Sequence, residues 1–211
     1  MGTVTLVLTA LGAFAACAGF MILWARRQRR RDVALASSLQ ARGFRPADVD
    51  EASRLGELPL ALLAPARSGR IANVMQGSPM GLDTTVFDVE LRPDDPSSHR
   101  SCVLVRSASA VEGALLIEHG DLGGAAGEPR LDDVPEVLRD GYVHVRSNDP
   151  GVVERVLSAE MRGYLASLSP MFDFELNGDL SLCMAKQLSP TTLSMQIDAL
   201  AGLVARLPRQ G

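Results

Sequence analysis

The pattern of hydrophobic and polar positions changes several times along this chain, and each change predicts a new element. Residues 3–24 are an almost unbroken run of Val, Leu, Ala, Gly, Phe, Met and Ile without a charged side chain. A helix of these 22 residues would be about 33 Å long at ~1.5 Å per residue, enough to cross a hydrocarbon core of about 30 Å. The pattern therefore predicts a transmembrane anchor over residues 1–25.

A cluster of five arginines follows the apolar run: Arg26, Arg27, Arg29, Arg30 and Arg31. Basic residues beside a transmembrane helix stay on the cytoplasmic side of the membrane, and an indole such as that of Trp24 favours the interface. A cleaved signal peptide would carry charge before its apolar stretch, and none is present here. We therefore expect a single-pass plasma-membrane protein with its N-terminus outside and its C-terminal domain in the cytoplasm, in contact with lipid through these residues.

Small residues recur at three- and four-residue spacing inside the predicted anchor: Gly12, Ala15, Ala16 and Gly19. They fall on one helical face, and small side chains let two transmembrane helices approach closely. This face is a candidate homodimer contact.

The hydrophobic pattern weakens between the anchor and the first strand. Residues 26–70 are predicted to hold the basic cluster, a short helix over 32–42 and a connector. Prolines interrupt the connector at Pro46, Pro59 and Pro65. Its leucine-rich stretch over residues 58–63 is too apolar to stay in water, so we expect it to be buried.

Residues 71–211 are predicted to form one domain. Period-two alternation predicts strands at 71–76, 82–91, 101–107, 113–119 and 142–146. A helix opens at Asp149-Pro150 and ends before Pro170, and a second opens at Ser189-Pro190. Between them, a hairpin with a three-residue turn at residues 177–179 would pair strands 171–176 and 180–184, with their apolar side chains on one side.

This order of elements predicts an α+β fold. An N-terminal transmembrane helix would be followed by an antiparallel sheet of about six or seven strands, covered by two helices. The alternative is a pleckstrin-homology-like barrel with a closing C-terminal helix.

The net charge of the chain restricts the kinds of molecule that it is expected to bind. The chain has 21 Lys and Arg, of which five lie in the basic cluster; the remaining 16 face 25 Asp and Glu, a net charge of −9 after residue 31. An acidic domain is repelled by phosphate backbones, and its few aromatic side chains offer little for base stacking. We therefore expect no nucleic-acid binding.

Catalytic motifs are missing from the sequence, which contains no GxSxG, HExxH or Walker motif and no CxxC pair. We predict no metal site, no cofactor and no catalytic residue. One carboxylate cluster is a candidate site. Asp88 and Glu90 share one strand face, as do Asp173 and Glu175, each pair about 7 Å apart along its strand. If those strands were neighbours, the four groups could hold a divalent cation or act as acid and base; a solvated sheet face explains the alternation equally well.

A short set of motifs resembles a group of uncharacterised bacterial membrane-anchored proteins. It comprises the segment from Gly69-Arg70 through Asn73-Val74 to Gly77, then Thr85-Val86-Phe87-Asp88, then a helix and Phe174-Glu175. The resemblance covers about residues 40–207 and implies a bacterial inner-membrane protein without an assigned activity. It suggests that Asn73 and Asp88 are framework positions.

Taken together, these patterns predict a membrane-anchored cytoplasmic module that binds an unidentified protein or acts as a scaffold. One alternative is a hydrolase-like enzyme that uses the strand carboxylates. Another is a carrier that encloses an apolar ligand or a lipid under the sheet.

Overall fold

A computed structural model describes residues 2–48, 50–64, 70–90, 98–119, 136–140, 143–147, 149–168, 172–186 and 189–208. The helices are α1 (Gly2–Ala41), α2 (Glu51–Gly56), α3 (Pro150–Val156), α4 (Ala159–Ser167) and α5 (Pro190–Val204). The strands are β1 (Arg45–Pro46), β2 (Arg70–Gly77), β3 (Asp83–Glu90), β4 (His99–His119), β5 (Glu136–Asp140), β6 (Val143–Ser147) and β7 (Phe172–Lys186). The chain divides into two compact units, residues 1–38 and 39–211.

The first unit is formed by α1 as far as Ser38. This helix continues without interruption through the predicted anchor and the predicted short helix. Large apolar side chains are exposed along it: Phe14, Phe20, Met21, Ile22 and Leu23. Across the residues that the structure describes, none of the helices has the length and apolar character needed to span a membrane. The anchor therefore stays a prediction from the sequence. The side chains of Trp24 and Arg27 and the surroundings of Gly12, Ala15 and Ala16 lie outside the described part of the chain.

The second unit is built on a seven-stranded sheet whose recorded pairings are all antiparallel. The strand order is β1-β2-β3-β4-β6-β5, and β7 pairs with β4 outside this path. The predicted α+β class with an antiparallel sheet is confirmed. Because β1 and β5 stand at opposite ends of the order, the described strands form an open sheet, not the barrel that was the alternative.

Strand β4 is the centre of the sheet. Its first half pairs with β3 from His99 to Arg106, and its last residues pair with β6 from Leu115 to His119. Strand β7 runs along both halves. The two strands predicted at 101–107 and 113–119 are therefore one strand, whose register shifts relative to β7 on either side of Val111.

The predicted hairpin at residues 177–179 is wrong, because β7 is a single strand. Gly178 adopts a positive φ of 60° and lies opposite Val111, where β4 is bulged. A left-handed residue opposite a bulge bends a strand without reversing it. The bend also ends the predicted common apolar face: Leu180, Leu182 and Met184 join one core cluster, to which Phe172, Phe174 and Leu176 do not belong.

The helix predicted from residue 149 to 170 is two helices. The Asp149 carboxylate accepts a hydrogen bond from the Gly151 amide at 2.9 Å and caps α3. The Ser158 hydroxyl accepts one from the Met161 amide at 3.2 Å and caps α4. Ser158 thus starts a new helix in the middle of the apolar stripe, since its side chain satisfies an amide that a continuous helix would bond internally.

Two different layers cover the sheet. Residues 57–64, which we call the strap, pack with α2 on the face of Leu180 and Leu182. Cys183 points to the opposite face because side chains alternate along a strand. There its thiol contacts the Gln196 side chain of α5, so α5 covers that face. Leu193, Ile197 and Leu200 are buried along α5, as its apolar stripe predicted.

Candidate functional site

Glu175 ties the strap to the sheet. Its side chain is only 1 % exposed, and its carboxylate accepts hydrogen bonds from the amides of Ala61 at 2.7 Å and Leu62 at 2.8 Å. Two residues further along β7, the Asn177 amide donates to the Pro59 carbonyl at 2.7 Å. Two side chains of β7 thus hold the backbone of the strap. Since Glu175 faces the strap, its neighbours on β7 face the other side of the sheet.

The electrostatics of Glu175 are those of a buried acid. Burial raises the pKa of the Glu175 carboxyl, and the hydrogen bonds from the Leu62 and Ala61 amides lower it; burial has the larger effect. The charged form is therefore less favourable here than in water, although two peptide dipoles support it. Because each carboxylate oxygen already accepts an amide proton, this group holds the strap in place.

A second polar cluster joins β2, β3 and β4. The Asp88 carboxylate accepts one hydrogen bond from the Ser101 hydroxyl at 2.8 Å and another from the Asn73 amide group at 2.9 Å. Asn73 has a positive φ of 54° and lies where the register of β2 shifts between Ala72 and Met75. The Asp88 carboxylate therefore fixes a bulge and a neighbouring strand, which is a framework arrangement of the kind that the sequence resemblance suggested.

The predicted carboxylate cluster is split between distant parts of the sheet. Asp88 and Glu90 lie on β3, which pairs with the first half of β4. The Glu90 carboxylate lies 3.4 Å from the Nε2 atom of His99. Asp173 and Glu175 lie on β7, where Glu175 is opposite Leu116. Because β3 and β7 occupy opposite edges of β4, the condition for the four groups to converge is not met. Among the described residues, no group of three or more His, Cys, Asp or Glu side chains could hold a metal ion.

The two cysteines of the sheet are buried in its centre. Burial raises the pKa of both thiols, Cys102 and Cys183, well above the usual value. A thiol is a nucleophile as its thiolate, so both residues act here as small apolar side chains. They face opposite sides of the sheet, because Cys102 pairs with Met184 and Cys183 pairs with Val103, one residue further along β4.

Gln196 was not singled out in the sequence, although it is fully buried. Its amide group donates to the carbonyls of Ser101 at 3.1 Å and Cys183 at 2.8 Å, which anchors α5 to β4 and β7. The available signal was its position, three residues after Leu193 and four before Leu200 on an apolar stripe. Asn177 was missed because it was assigned to a turn.

Of the predicted membrane-interface residues, Arg26, Arg29 and Arg30 are exposed on α1. The Nε atom of Arg31 lies 3.7 Å from the Asp32 carboxylate. Of the candidate dimer face, Gly19 is the member whose surroundings are described, and a Cβ added there would meet no atom within 4 Å.

These features define the class of the second unit: an α+β domain with an open antiparallel sheet, whose buried polar side chains hold a leucine-rich strap and a C-terminal helix. No family model and no curated protein matches the chain. A solved structure that it resembles is the crystal structure of the mycobacterial trehalose monomycolate transport factor A, TtfA, with a TM-score of 0.69. The two chains are 14% identical, and the match covers 87% of this chain and 99% of that chain. At this identity the likeness shows a shared fold.

Proposed function

We propose that this chain is a membrane-anchored accessory factor of lipid transport in a bacterial inner membrane. Its domain would act by binding another protein of the transport machinery. The observation that carries the proposal is the likeness to TtfA, which extends over 99% of that chain. A likeness of that extent concerns a whole architecture rather than a common supersecondary motif, and it supports the proposal of a related role.

Support for attachment to the membrane comes from the first unit. The uncharged run over residues 3–24 is followed by five arginines, and α1 exposes Phe14, Phe20, Met21, Ile22 and Leu23. Exposed apolar side chains of this size on one helix need a partner, and lipid is the simplest one. The arginines favour an orientation with the domain in the cytoplasm. We include in the proposal a homodimer contact through Gly12, Ala15, Ala16 and Gly19.

Support for binding rather than catalysis comes from the way the buried polar groups are used. Both oxygens of Glu175 and both oxygens of Asp88 accept hydrogen bonds that join chain segments. The net charge of −9 after residue 31 favours a partner with a basic surface, because complementary charge speeds and orients association.

Depletion of the chain in its native host tests the transport role. Trehalose monomycolate, or the acylated sugar that the host exports in its place, would be labelled metabolically and followed from the inner membrane to the outer envelope. We expect the labelled lipid to accumulate at the inner membrane, and re-expression of the intact chain to restore export. Export that continues at the normal rate after complete depletion would refute the proposal.

Topology is tested separately with reporters fused after Gly211. A fluorescent protein that matures in the cytoplasm should be bright, and alkaline phosphatase at the same position should be inactive. The opposite pair of results would place the domain on the far side of the inner membrane from the cytoplasm.

A further inference from the structure

The strap covers an apolar face of the sheet with leucine side chains. Its Leu60 and Leu63 are each 1 % exposed. They complete a cluster with residues of α2, β3, β4 and β7: Leu55, Phe87, Val89, Cys102, Leu104, Leu180, Leu182 and Met184. Leu58 and Leu62 pack against the same cluster. If the strap moved away, the side chains of β3, β4 and β7 would face water.

The attachment of the strap is local and polar. Its own backbone bonds are short-range, such as those from Leu63 to Leu60 and from Ala64 to Ala61. The described long-range hydrogen bonds to it come from Glu175 and Asn177, next to the bend of β7 at Gly178. A segment held in this way can open without breaking a strand ladder or a helix, so its opening is expected to be more frequent than global unfolding.

We propose that the strap opens to admit one acyl chain of a membrane lipid, which takes the place of Leu60 and Leu63 against the sheet. This inference rests on the proposed role in lipid transport and adds a binding site to it. An acyl chain is the occupant that fits, because the described members of the cluster are aliphatic side chains, one phenyl ring, the Cys102 thiol and the Met184 thioether, all of which suit methylene groups. Methylene groups of the lipid would cover the apolar face of the sheet after the leucines leave it. The burial of that apolar surface, which is the main stabilising contribution, would therefore be conserved.

Glu175→Gln weakens the attachment with little change of shape. The glutamine keeps one acceptor oxygen but turns an amide group, which is a donor, toward a second backbone amide. Loss of one hydrogen bond to a charged group is expected to raise opening of the strap about tenfold. Asp179→Asn is the matched control, since Asp179 is an exposed carboxylate of the same strand whose recorded partner is Arg106 at 3.9 Å, outside the strap. Asn177→Ala is a second loosening variant, which removes the bond to Pro59 and leaves the carboxylate unchanged.

Hydrogen exchange of the full chain in phospholipid vesicles measures the opening. Peptides over residues 57–64 should exchange about tenfold faster in Glu175→Gln, faster than wild type in Asn177→Ala, and at the wild-type rate in Asp179→Asn. Peptides from β4 and β7 away from the strap should change little. Unchanged exchange over 57–64 in both loosening variants would remove the basis for a movable strap.

Photolabelling identifies the occupant. The vesicles would contain a small fraction of a phospholipid or of a trehalose ester, each with a diazirine in the middle of its acyl chain. We expect cross-links to the strap-facing residues of β4 and β7, such as Leu104 and Leu182, with a higher yield in the loosening variants than in Asp179→Asn. Labelling by both lipids or by one supports the acyl-chain site and reports the headgroup preference. Labelling confined to residues 2–25 in every variant would overturn the site while leaving the transport role standing. Labelling of the cluster combined with unchanged export after depletion would do the reverse.

Discussion

The contact between α5 and α4 at Gly202 and Tyr164 can be tested by the addition of a single methyl group. A Cβ added at Gly202 would lie 2.8 Å from the Tyr164 Cζ atom, closer than such atoms approach in proteins. The same ring is fixed from two other directions: its hydroxyl donates to the Ala199 carbonyl at 2.8 Å, and the Arg206 guanidinium lies 4.2 Å from its centroid. Gly202→Ala therefore has to displace Tyr164 from these contacts.

The size of the effect follows from opposing contributions. Alanine in place of glycine stabilises a helix interior by roughly 0.5–1 kcal/mol. Against this, displacement of the ring loses a hydrogen bond of about 0.5–1.5 kcal/mol and a cation–π contact of about 0.5–1 kcal/mol. Overpacking adds about 1–3 kcal/mol. The clash outweighs the helix propensity, so Gly202→Ala should destabilise the domain by about 1–5 kcal/mol.

Gly163 of α4 supplies the matched control, because a Cβ added there would meet no atom within 4 Å. Gly163→Ala should raise the free energy of unfolding by roughly 0.5–1 kcal/mol. Urea unfolding of the full chain in detergent, followed by far-ultraviolet circular dichroism, measures both variants. In a Tyr164→Ala background the clash disappears, and Gly202→Ala should then become stabilising. A Gly202→Ala chain as stable as the Gly163→Ala chain, or a penalty that persists without the tyrosine ring, would refute this account of the contact.

Three further predictions concern titration, reactivity and capping. Because burial raises the folded-state pKa of Glu175, the folded chain binds the carboxyl proton more tightly than the unfolded chain does. The free energy of unfolding of wild type, relative to Glu175→Gln, should therefore rise as the pH falls from neutral through the folded-state pKa, and it should level off below the unfolded-state pKa. A difference that stays flat across this pH range would contradict the burial effect. In a Cys17→Ser background, Cys102 and Cys183 should resist a disulfide reagent at neutral pH until denaturant is added, since both thiols are buried with raised pKa values; rapid labelling of the native chain would show that they are accessible. Ser158→Ala should cost about 1 kcal/mol in the same urea titration, because the Met161 amide loses its cap, and Ser158→Asp should recover most of it.

Patterns that depend on near neighbours allowed correct prediction from the sequence. Alternation found β2, β3 and β6 within a few residues, and the Ser-Pro start together with the stripe of Leu193, Ile197 and Leu200 found α5. In each case a local signal and the tertiary environment favour the same state. The α+β class followed from their order.

Where the sequence failed, a distant partner decided the structure. Asn177-Gly178-Asp179 has the composition of a turn, and a glycine with positive φ is present, as a turn requires. The chain nevertheless continues, because β4 offers a 21-residue partner along which both halves of β7 pair. Hydrogen bonds to such a strand satisfy more backbone groups than a hairpin would, and β4 itself is interrupted in the sequence by residues that do not alternate. The same local pattern is therefore compatible with a reversal and with a bend, and the choice between them is tertiary.

The environment of Glu175 was also mispredicted from the sequence, because a distant segment decides it. Glu175 alternates with Phe174 and Leu176, so its sequence context predicts a solvated carboxylate opposite a buried face. The bend at Gly178 exchanges the faces: the flanking apolar residues turn toward the helices, and the carboxylate turns toward the leucines of the strap. Burial there is tolerable because the strap, which has little regular secondary structure, leaves two amides unbonded at that point, and the carboxylate accepts both. The strap supplies the two backbone amides that the buried Glu175 carboxylate needs, and β7 supplies the carboxylate that those amides need. The role of Glu175 thus depends on both segments, which is why the loosening of this one contact should make opening of the whole strap more frequent.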